Sequence, residues 1–217
     1  MPLPILYSLQ HCPYAMRARM GLLLAKQAVM LRAIVMNNKP TEMLTLSPKG
    51  TVPVLLVDQT LVIDESIDIM IWALRQNDPC NLLYSDQASS FSAMNSLINR
   101  NDNEFIIWLE KYKHAKRYHE ISEVYYRQQC ELFILHLEQR LSSNNFFMGI
   151  NPSLADYAIL PFIRQFAHVD RKWYLQAPYP NIQQWLRLQL ESKLFSKIMK
   201  KYPLWLDTHE TFIFGNE

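Results

Sequence analysis

The pattern of apolar and polar positions differs between the two halves of the chain. Up to about Leu83, short apolar runs typical of strands alternate with segments typical of helices. The strand-like runs span 5–8, 29–36, 51–57 and 61–63, and helical segments lie between or after them at 14–26, after Asn37 and from Ser66. The order β-α-β-α-β-β-α predicts a four-stranded mixed sheet with helices on both faces.

Every long segment after Leu83 has the periodicity of a helix. One such face carries apolar side chains spaced i, i+3, i+4, i+7 and i+11 at Cys130, Phe133, Ile134, Leu137 and Leu141. The stretch from Ser153 to Asp156 is a variant of the capping box, in which a hydroxyl and a carboxylate serve the first helical N–H groups. The end of the chain carries three aromatic residues, Trp205, Phe212 and Phe214. Because exposed aromatics there would be unusual, we expect the tail to fold back on the body.

These patterns predict an α+β protein with two domains. The first is a βαβαββα domain over residues 1–78, followed by a linker over 79–85, where Asn77-Asp78-Pro79 ends the last helix. The second is an all-α helical bundle over 86–217. The length of 217 residues and the 49% hydrophobic composition suffice for two buried cores.

Composition excludes several classes of function. The formal net charge is +2, from 22 basic and 20 acidic residues, which gives no support for nucleic-acid binding. The four glycines are too scattered for a phosphate-binding loop, and the Cys and His residues lack the spacing of a metal site. No apolar run approaches the ~20 residues of a membrane helix. The first residues do not resemble a signal peptide, so we expect a cytoplasmic protein with reduced thiols.

Cys12 is the strongest candidate for chemistry. It lies between the first predicted strand and a helix that Pro13 begins, where the positive end of the helix dipole favours the thiolate, the nucleophilic form. Arg17 and Arg19, one turn further, are expected to add positive potential. The alternative is that Cys12 is a small structural residue at the end of the strand.

The chain resembles the glutathione transferase superfamily in three motifs: Cys12-Pro13-Tyr14-Ala15, Val52-Pro53 before a strand, and Glu65-Ser66 opening a helix. The resemblance covers essentially the whole chain, and its closest form is the cysteine-type, omega-like class or bacterial-type long glutaredoxins. It implies a thioredoxin-like N-terminal domain followed by the family's helical domain. The cofactor implied is glutathione, as a co-substrate, with no metal.

The resemblance also implies roles for individual residues. Cys12 would form a mixed disulfide with glutathione, with the aromatic Tyr14 beside it. Lys39 matches the residue that holds the glycyl carboxylate. Val52 precedes Pro53, whose peptide bond is cis in this family, and would pair with the cysteinyl backbone of glutathione.

The γ-glutamyl end would bind at the start of the third helix. Glu65 would pair with the ammonium group, and Ser66 with the backbone there would bind the carboxylate. The implied function is that of a glutathione-dependent thiol transferase and oxidoreductase, which removes glutathione from disulfides or reduces an acceptor such as dehydroascorbate. Ala15 stands where dithiol glutaredoxins have a second cysteine, so a monothiol cycle is expected. The family commonly forms homodimers.

Two alternatives remain at this point. In the first, Tyr7 or Ser8 activates the glutathione thiol for conventional conjugation to electrophiles, and Tyr7 is otherwise a packing residue of the first strand. In the second, the chain is a non-enzymatic binding protein of the same architecture. Cys80 and Cys130 are interpreted as structural residues.

Overall fold

The computed structural model describes residues 2–84 and 88–216, which form two compact units. The first unit contains the chain up to Leu82 together with the tail from Ser192 onward. The second unit spans Leu83–Glu191. The end of the predicted linker at Ser85 and the predicted start of the second domain at Asp86 lie outside the described residues, so these boundaries stay predictions.

The first unit follows the predicted order of strands and helices and adds elements from the tail. Its elements are β1 (Ile5–Ser8), α1 (Pro13–Leu24), β2 (Val29–Ala33), α2 (Thr41–Leu46), β3 (Val54–Leu56), β4 (Val62–Ile63), α3 (Ser66–Gln76), α10 (Lys193–Ile198), α11 (Trp205–Thr208) and β5 (Phe212–Phe214). The βαβαββα prediction for the N-terminal part is therefore confirmed.

The sheet of the first unit is mixed, with the strand order β4-β3-β1-β2-β5. β1 and β2 are parallel because α1 carries the chain back between them, whereas the other three pairings are antiparallel. The prediction of four strands was wrong. β5 pairs antiparallel with β2, and Phe214 lies opposite Val29, so the tail supplies a fifth strand that covers the edge of β2.

α1 is a buried helix, and residues 15–23 are all buried. Its apolar residues therefore surround the helix instead of forming one stripe. Gly21 permits a close approach to α3, since a Cβ there would lie 2.6 Å from the Cα of Met70. This packing fixes the start of α1, with Cys12, relative to the start of α3, with Glu65 and Ser66.

The tail is also attached to the first unit through Trp205. The Arg32 guanidinium lies 3.9 Å from the centroid of the Trp205 ring, and the indole N–H donates a hydrogen bond to Glu42. Arg32 in turn donates to the Tyr7 hydroxyl at 2.7 Å. The expectation that the tail folds back on the body is thus confirmed, with β2 and α2 as its contacts.

We expect Trp205→Ala to lower the free energy of unfolding by about 2 kcal/mol, since it removes both the stacking on Arg32 and the bond to Glu42. Trp205→Phe retains the ring but not the donor, so it should lose about half as much. Urea titrations followed by circular dichroism measure both. Equal stability of Trp205→Ala and the wild type would show that the tail contributes nothing through this side chain.

The regular elements described in the second unit are all helices. It contains α4 (Ala88–Arg100), a π-helical turn (Asn101–Phe105), α5 (Ile106–Tyr118), α6 (Glu123–Leu141), α7 (Leu154–Val169), α8 (Arg171–Gln176) and α9 (Pro180–Leu190). Its core includes Phe105, whose ring centroid lies 5.0 Å from that of Phe133 and 5.9 Å from that of Phe166. The predicted capping box is present at the start of α7, with Ser153 as the N-cap.

Candidate functional site

Cys12 occupies the N-cap position of α1, as the sequence predicted. Its backbone is extended (φ −71°, ψ 124°), Pro13 is the first helical residue, and its side chain is partly exposed. The Cys12 carbonyl accepts the first helical hydrogen bond, from the N–H of Met16 at 2.8 Å. The thiol therefore lies at the positive end of a 12-residue helix and in reach of solvent.

The second motif lies directly against Cys12. The Cys12 thiol is 3.9 Å from the carbonyl oxygen of Val52, and the Val52-Pro53 peptide bond is cis, as expected from the resemblance. The buried Val52 side chain packs in an apolar cluster with Tyr7 and Ala15, and Cys12 packs partly against the same cluster. Residues 12 and 52–53, distant in sequence, thus form one wall of the candidate site.

The third motif begins α3. Glu65 is its N-cap residue and is largely exposed, whereas Ser66 is buried. The Ser66 hydroxyl accepts a weak hydrogen bond, at 3.5 Å, from the guanidinium of Arg17. Arg17, expected from its spacing to act near Cys12, therefore contacts the predicted γ-glutamyl site.

Lys49 lies against the third motif, and the sequence analysis did not single it out. Its ammonium group lies 2.7 Å from Glu65 Oε1 and 3.3 Å from Asp64 Oδ1. Burial lowers the pKa of Lys49, but these two carboxylates outweigh that effect and raise the pKa above its usual value. The Ser47 hydroxyl donates to Asp64 at 2.6 Å and, with Lys49, lowers the pKa of Asp64. The sequence predicted the Ser47-Pro48-Lys49-Gly50 turn, but it did not show that this turn lies against Asp64 and Glu65.

Lys39 and Tyr14 lie at other points of the same unit. Gly50, which has a left-handed backbone (φ +63°), sits so close to Lys39 that a Cβ there would be 3.3 Å from the lysine amine. The amine of Lys39 thus lies at the turn two residues before Val52. Tyr14, on the first turn of α1, is 38% exposed.

The hydroxyls of Tyr7 and Ser8 are both buried against arginines. Tyr7 accepts from Arg32 at 2.7 Å, and burial raises the pKa of Tyr7 despite that cation. Ser8 accepts from the guanidinium of Arg19. Cys12 is the most accessible of the three groups, which favours a cysteine mechanism over activation by either hydroxyl.

The other two cysteines lie in different surroundings. Cys130 is buried on α6, and burial raises the pKa of its thiol, which suits the structural role expected for it. Cys80 is exposed, so it is a surface thiol in the structure and not a packed one. Over residues 2–84 and 88–216, no cluster of His, Cys, Asp and Glu side chains is placed to hold a metal ion. No helix in the described residues is long and apolar enough to cross a membrane.

Two protein-family models match the chain. Residues 6–81 match the model described as glutathione S-transferase, N-terminal domain, and residues 126–188 match glutathione S-transferase, C-terminal domain. The chain belongs to the glutathione S-transferase superfamily. The cysteine motif, the Val52-Pro53 pair and the Glu65-Ser66 pair all lie inside the first match. A comparison with curated proteins gives no match.

Solved structures of this superfamily share the fold. A family member from Pseudomonas fluorescens with two glutathione molecules bound is 17% identical, with a TM-score of 0.80 over 91% of this chain and 92% of its own. A transferase from the Antarctic clam Laternula elliptica is 18% identical, with a TM-score of 0.78 over 91% and 92%. Glutathione S-transferase-I bound to lactoylglutathione is 20% identical, with a TM-score of 0.75 over 91% and 98%.

Proposed function

We propose that this protein is a glutathione-dependent thiol transferase that works through a mixed disulfide on Cys12. The observation that carries the proposal is the placement of a partly exposed thiol at the start of α1, 3.9 Å from the Val52 carbonyl. A nucleophile in that place faces both a helix N-terminus and a backbone edge that can pair with an extended peptide. The bound glutathione in the Pseudomonas fluorescens relative supports glutathione as the co-substrate.

The proposed reaction has two steps. The Cys12 thiolate attacks the glutathione sulfur of a disulfide R–S–S–G, a new S–S bond to Cys12 forms, and the original S–S bond breaks to release the thiolate R–S⁻, which takes a proton. A second glutathione thiolate then attacks the glutathione sulfur on Cys12, which forms oxidised glutathione and restores the Cys12 thiolate. With dehydroascorbate, two glutathione molecules supply the same two electrons and yield ascorbate.

Glutathione would lie along the wall that Cys12 and Val52 form. Its glycyl carboxylate would pair with Lys39, and its cysteinyl backbone with Val52 beside Pro53. Its γ-glutamyl ammonium would pair with Glu65 and its γ-glutamyl carboxylate with the start of α3 at Ser66. Tyr14 would contact the ligand from the first turn of α1.

We infer a monothiol cycle because Ala15 stands where a resolving cysteine would be needed. The omega-like or long-glutaredoxin type of enzyme fits this motif best. A free thiol at Cys12 requires a reducing compartment such as the cytoplasm. A homodimer is the proposed state in solution, by analogy with the family.

Conventional conjugation is the second candidate function, since the family is named for it. Two assays on the wild type separate the candidates: turnover of a glutathione mixed disulfide or dehydroascorbate, and conjugation of a chloronitrobenzene. We expect disulfide turnover, with conjugation close to the uncatalysed rate. The opposite ratio would favour conjugation, and no glutathione binding at millimolar concentration would favour a non-enzymatic binding protein.

Glu65→Gln should raise the Kd for glutathione about tenfold, because a charged hydrogen bond to the ligand ammonium becomes a neutral one. Isothermal titration calorimetry with reduced glutathione measures the effect. Asp68→Asn is the matched control, since Asp68 is an exposed acid on the first turn of the same helix. Equal weakening in both variants would assign the effect to net charge and not to a contact at Glu65.

A further inference from the structure

Glu65, the proposed partner of the γ-glutamyl ammonium group, already has a cation beside it in the structure. Its Oε1 atom lies 2.7 Å from the ammonium group of Lys49, which also lies 3.3 Å from Oδ1 of Asp64. The three side chains form a row of alternating charge, with Lys49 between two carboxylates. A ligand that binds at Glu65 therefore meets an ion pair and not a single negative charge.

Contacts within the first unit hold this row in place. Lys49 belongs to a turn that closes through a hydrogen bond from the Gly50 N–H to the Ser47 carbonyl, at 3.0 Å. Ser47 is buried, and its hydroxyl donates to Oδ2 of Asp64 at 2.6 Å. The turn is thereby attached to the residue before Glu65, which is the N-cap of α3. The fold therefore keeps the Lys49 ammonium group at the entrance to α3.

The carboxylate of Glu65 has room for a second cation. The Glu65 side chain is 65% exposed, and among the described residues only Lys49 contacts its carboxylate, at Oε1. A ligand ammonium group can thus bind Oε2 while Lys49 stays at Oε1. The γ-glutamyl end of glutathione carries its ammonium and carboxylate groups on the same carbon atom. When the ammonium group binds Glu65, the ligand carboxylate therefore comes within reach of Lys49 as well as of the start of α3.

We propose that Lys49 binds the γ-glutamyl carboxylate, and that Lys49 and Glu65 together select ligands that end in a free amino-acid head group. The inference rests on the proposed function, because it takes glutathione as the ligand. Each charge of the head group then has a partner of opposite sign, Glu65 for the ammonium group and Lys49 for the carboxylate. Asp64 holds Lys49 in place while the ligand shares Glu65.

The charges around the start of α3 also call for a cation at this position. Glutathione has two carboxylates and one ammonium group, so it is an anion near neutral pH. Without Lys49, it would approach two uncompensated carboxylates, Asp64 and Glu65, which repel it. The same two carboxylates raise the pKa of Lys49 above its usual value, so the lysine stays charged over the physiological pH range.

Isothermal titration calorimetry with two ligands tests the contact directly. The ligands are reduced glutathione and γ-aminobutyryl-cysteinyl-glycine, which lacks only the γ-glutamyl carboxylate. We expect Lys49→Met to raise the Kd for glutathione about tenfold, because a charged hydrogen bond to the carboxylate is lost. The Kd for the analogue should not rise, since the analogue has no carboxylate at that end. Lys49→Arg retains the charge and should keep the Kd for glutathione within about threefold of the wild-type value.

Lys193→Met is the matched control for net charge. Lys193 is an exposed lysine of the same unit, at the first position of α10 and outside the three motifs. Its substitution should leave the Kd for glutathione unchanged. An unchanged or lower Kd for glutathione in Lys49→Met would overturn the proposal. So would an equal rise for both ligands, or a Kd in Lys49→Arg as high as in Lys49→Met, since either would assign the effect to the shape of the turn.

Turnover assays separate this inference from the proposed function. A wild-type protein that binds glutathione through Lys49 but turns over no glutathione mixed disulfide would refute the thiol transferase and support the contact. Normal turnover with equal Kd values in the wild type and Lys49→Met would refute the contact alone. A wild-type protein that does not bind glutathione would contradict both.

Discussion

Replacing Cys12 with serine is expected to lower the rate of glutathione-dependent disulfide reduction by about a thousandfold or more. A serine hydroxyl is not ionised near neutral pH and does not form the mixed disulfide on which the proposed cycle depends. The fold should be retained, because Cys12 is partly exposed, and the hydrogen bond of its thiol to the Val52 carbonyl is long, at 3.9 Å. Steady-state assays with a glutathione mixed disulfide measure the loss.

The exposed thiol of Cys80 provides the matched control for this prediction. Cys80→Ser removes a solvent-accessible thiol of the same unit but should leave the rate unchanged. Binding of reduced glutathione to Cys12→Ser, followed by calorimetry, separates loss of chemistry from loss of binding. If Cys12→Ser retains a rate within tenfold of the wild type, Cys12 is not the nucleophile and the conjugation mechanism becomes the better account.

The largest expected loss of stability comes from Asp156→Ala. Asp156 is fully buried at the start of α7 and accepts three hydrogen bonds, from the Phe147 N–H at 2.9 Å and from the N–H and hydroxyl of Ser153 at 2.9 and 2.7 Å. Burial raises the pKa of Asp156 to about 6, although these donors lower it, so the carboxylate is ionised at pH 7.5. Alanine would leave three buried donors without an acceptor.

We expect Asp156→Ala to cost about 3–5 kcal/mol of unfolding free energy at pH 7.5. Urea titration followed by circular dichroism measures the loss. Asp170→Ala is the matched control, because Asp170 caps α8 by accepting from the Trp173 N–H at 3.0 Å but is partly exposed. It should cost about 1 kcal/mol. A loss below that of Asp170→Ala would show that the capping box contributes little to the second unit.

Local signals in the sequence predicted the strands and helices of the N-terminal part and the helical character of the second unit. Pro13 at a helix start located Cys12, and the serine and aspartate three positions apart located the start of α7, because helix termini follow short-range rules. The cis bond at Pro53 came from the resemblance, since no local rule distinguishes it. Cys12, Val52 and Glu65 could be assigned to one site only because the known family places these motifs together.

Other features depend on contacts that no local pattern encodes. β5 has three residues and pairs with a strand about 180 positions earlier, so the sequence showed only aromatic residues in need of burial. The ion pair of Lys49 with Glu65 joins two exposed-looking residues 16 positions apart. Arg19 was expected only to add positive potential near Cys12; its burial follows from its contacts with the Leu9 and Gln10 carbonyls and with the Ile198 carbonyl of the tail, which no local pattern encodes.

Intact-mass spectrometry after brief exposure to oxidised glutathione tests the central claim most directly, in a Cys80→Ser background that removes the exposed second thiol. The account predicts a gain of one glutathione, roughly 305 Da, that reduced glutathione reverses. The same gain should be absent from the variant that also carries Cys12→Ser. A protein that gains no mass, or that gains it equally without Cys12, would contradict thiol transfer through Cys12.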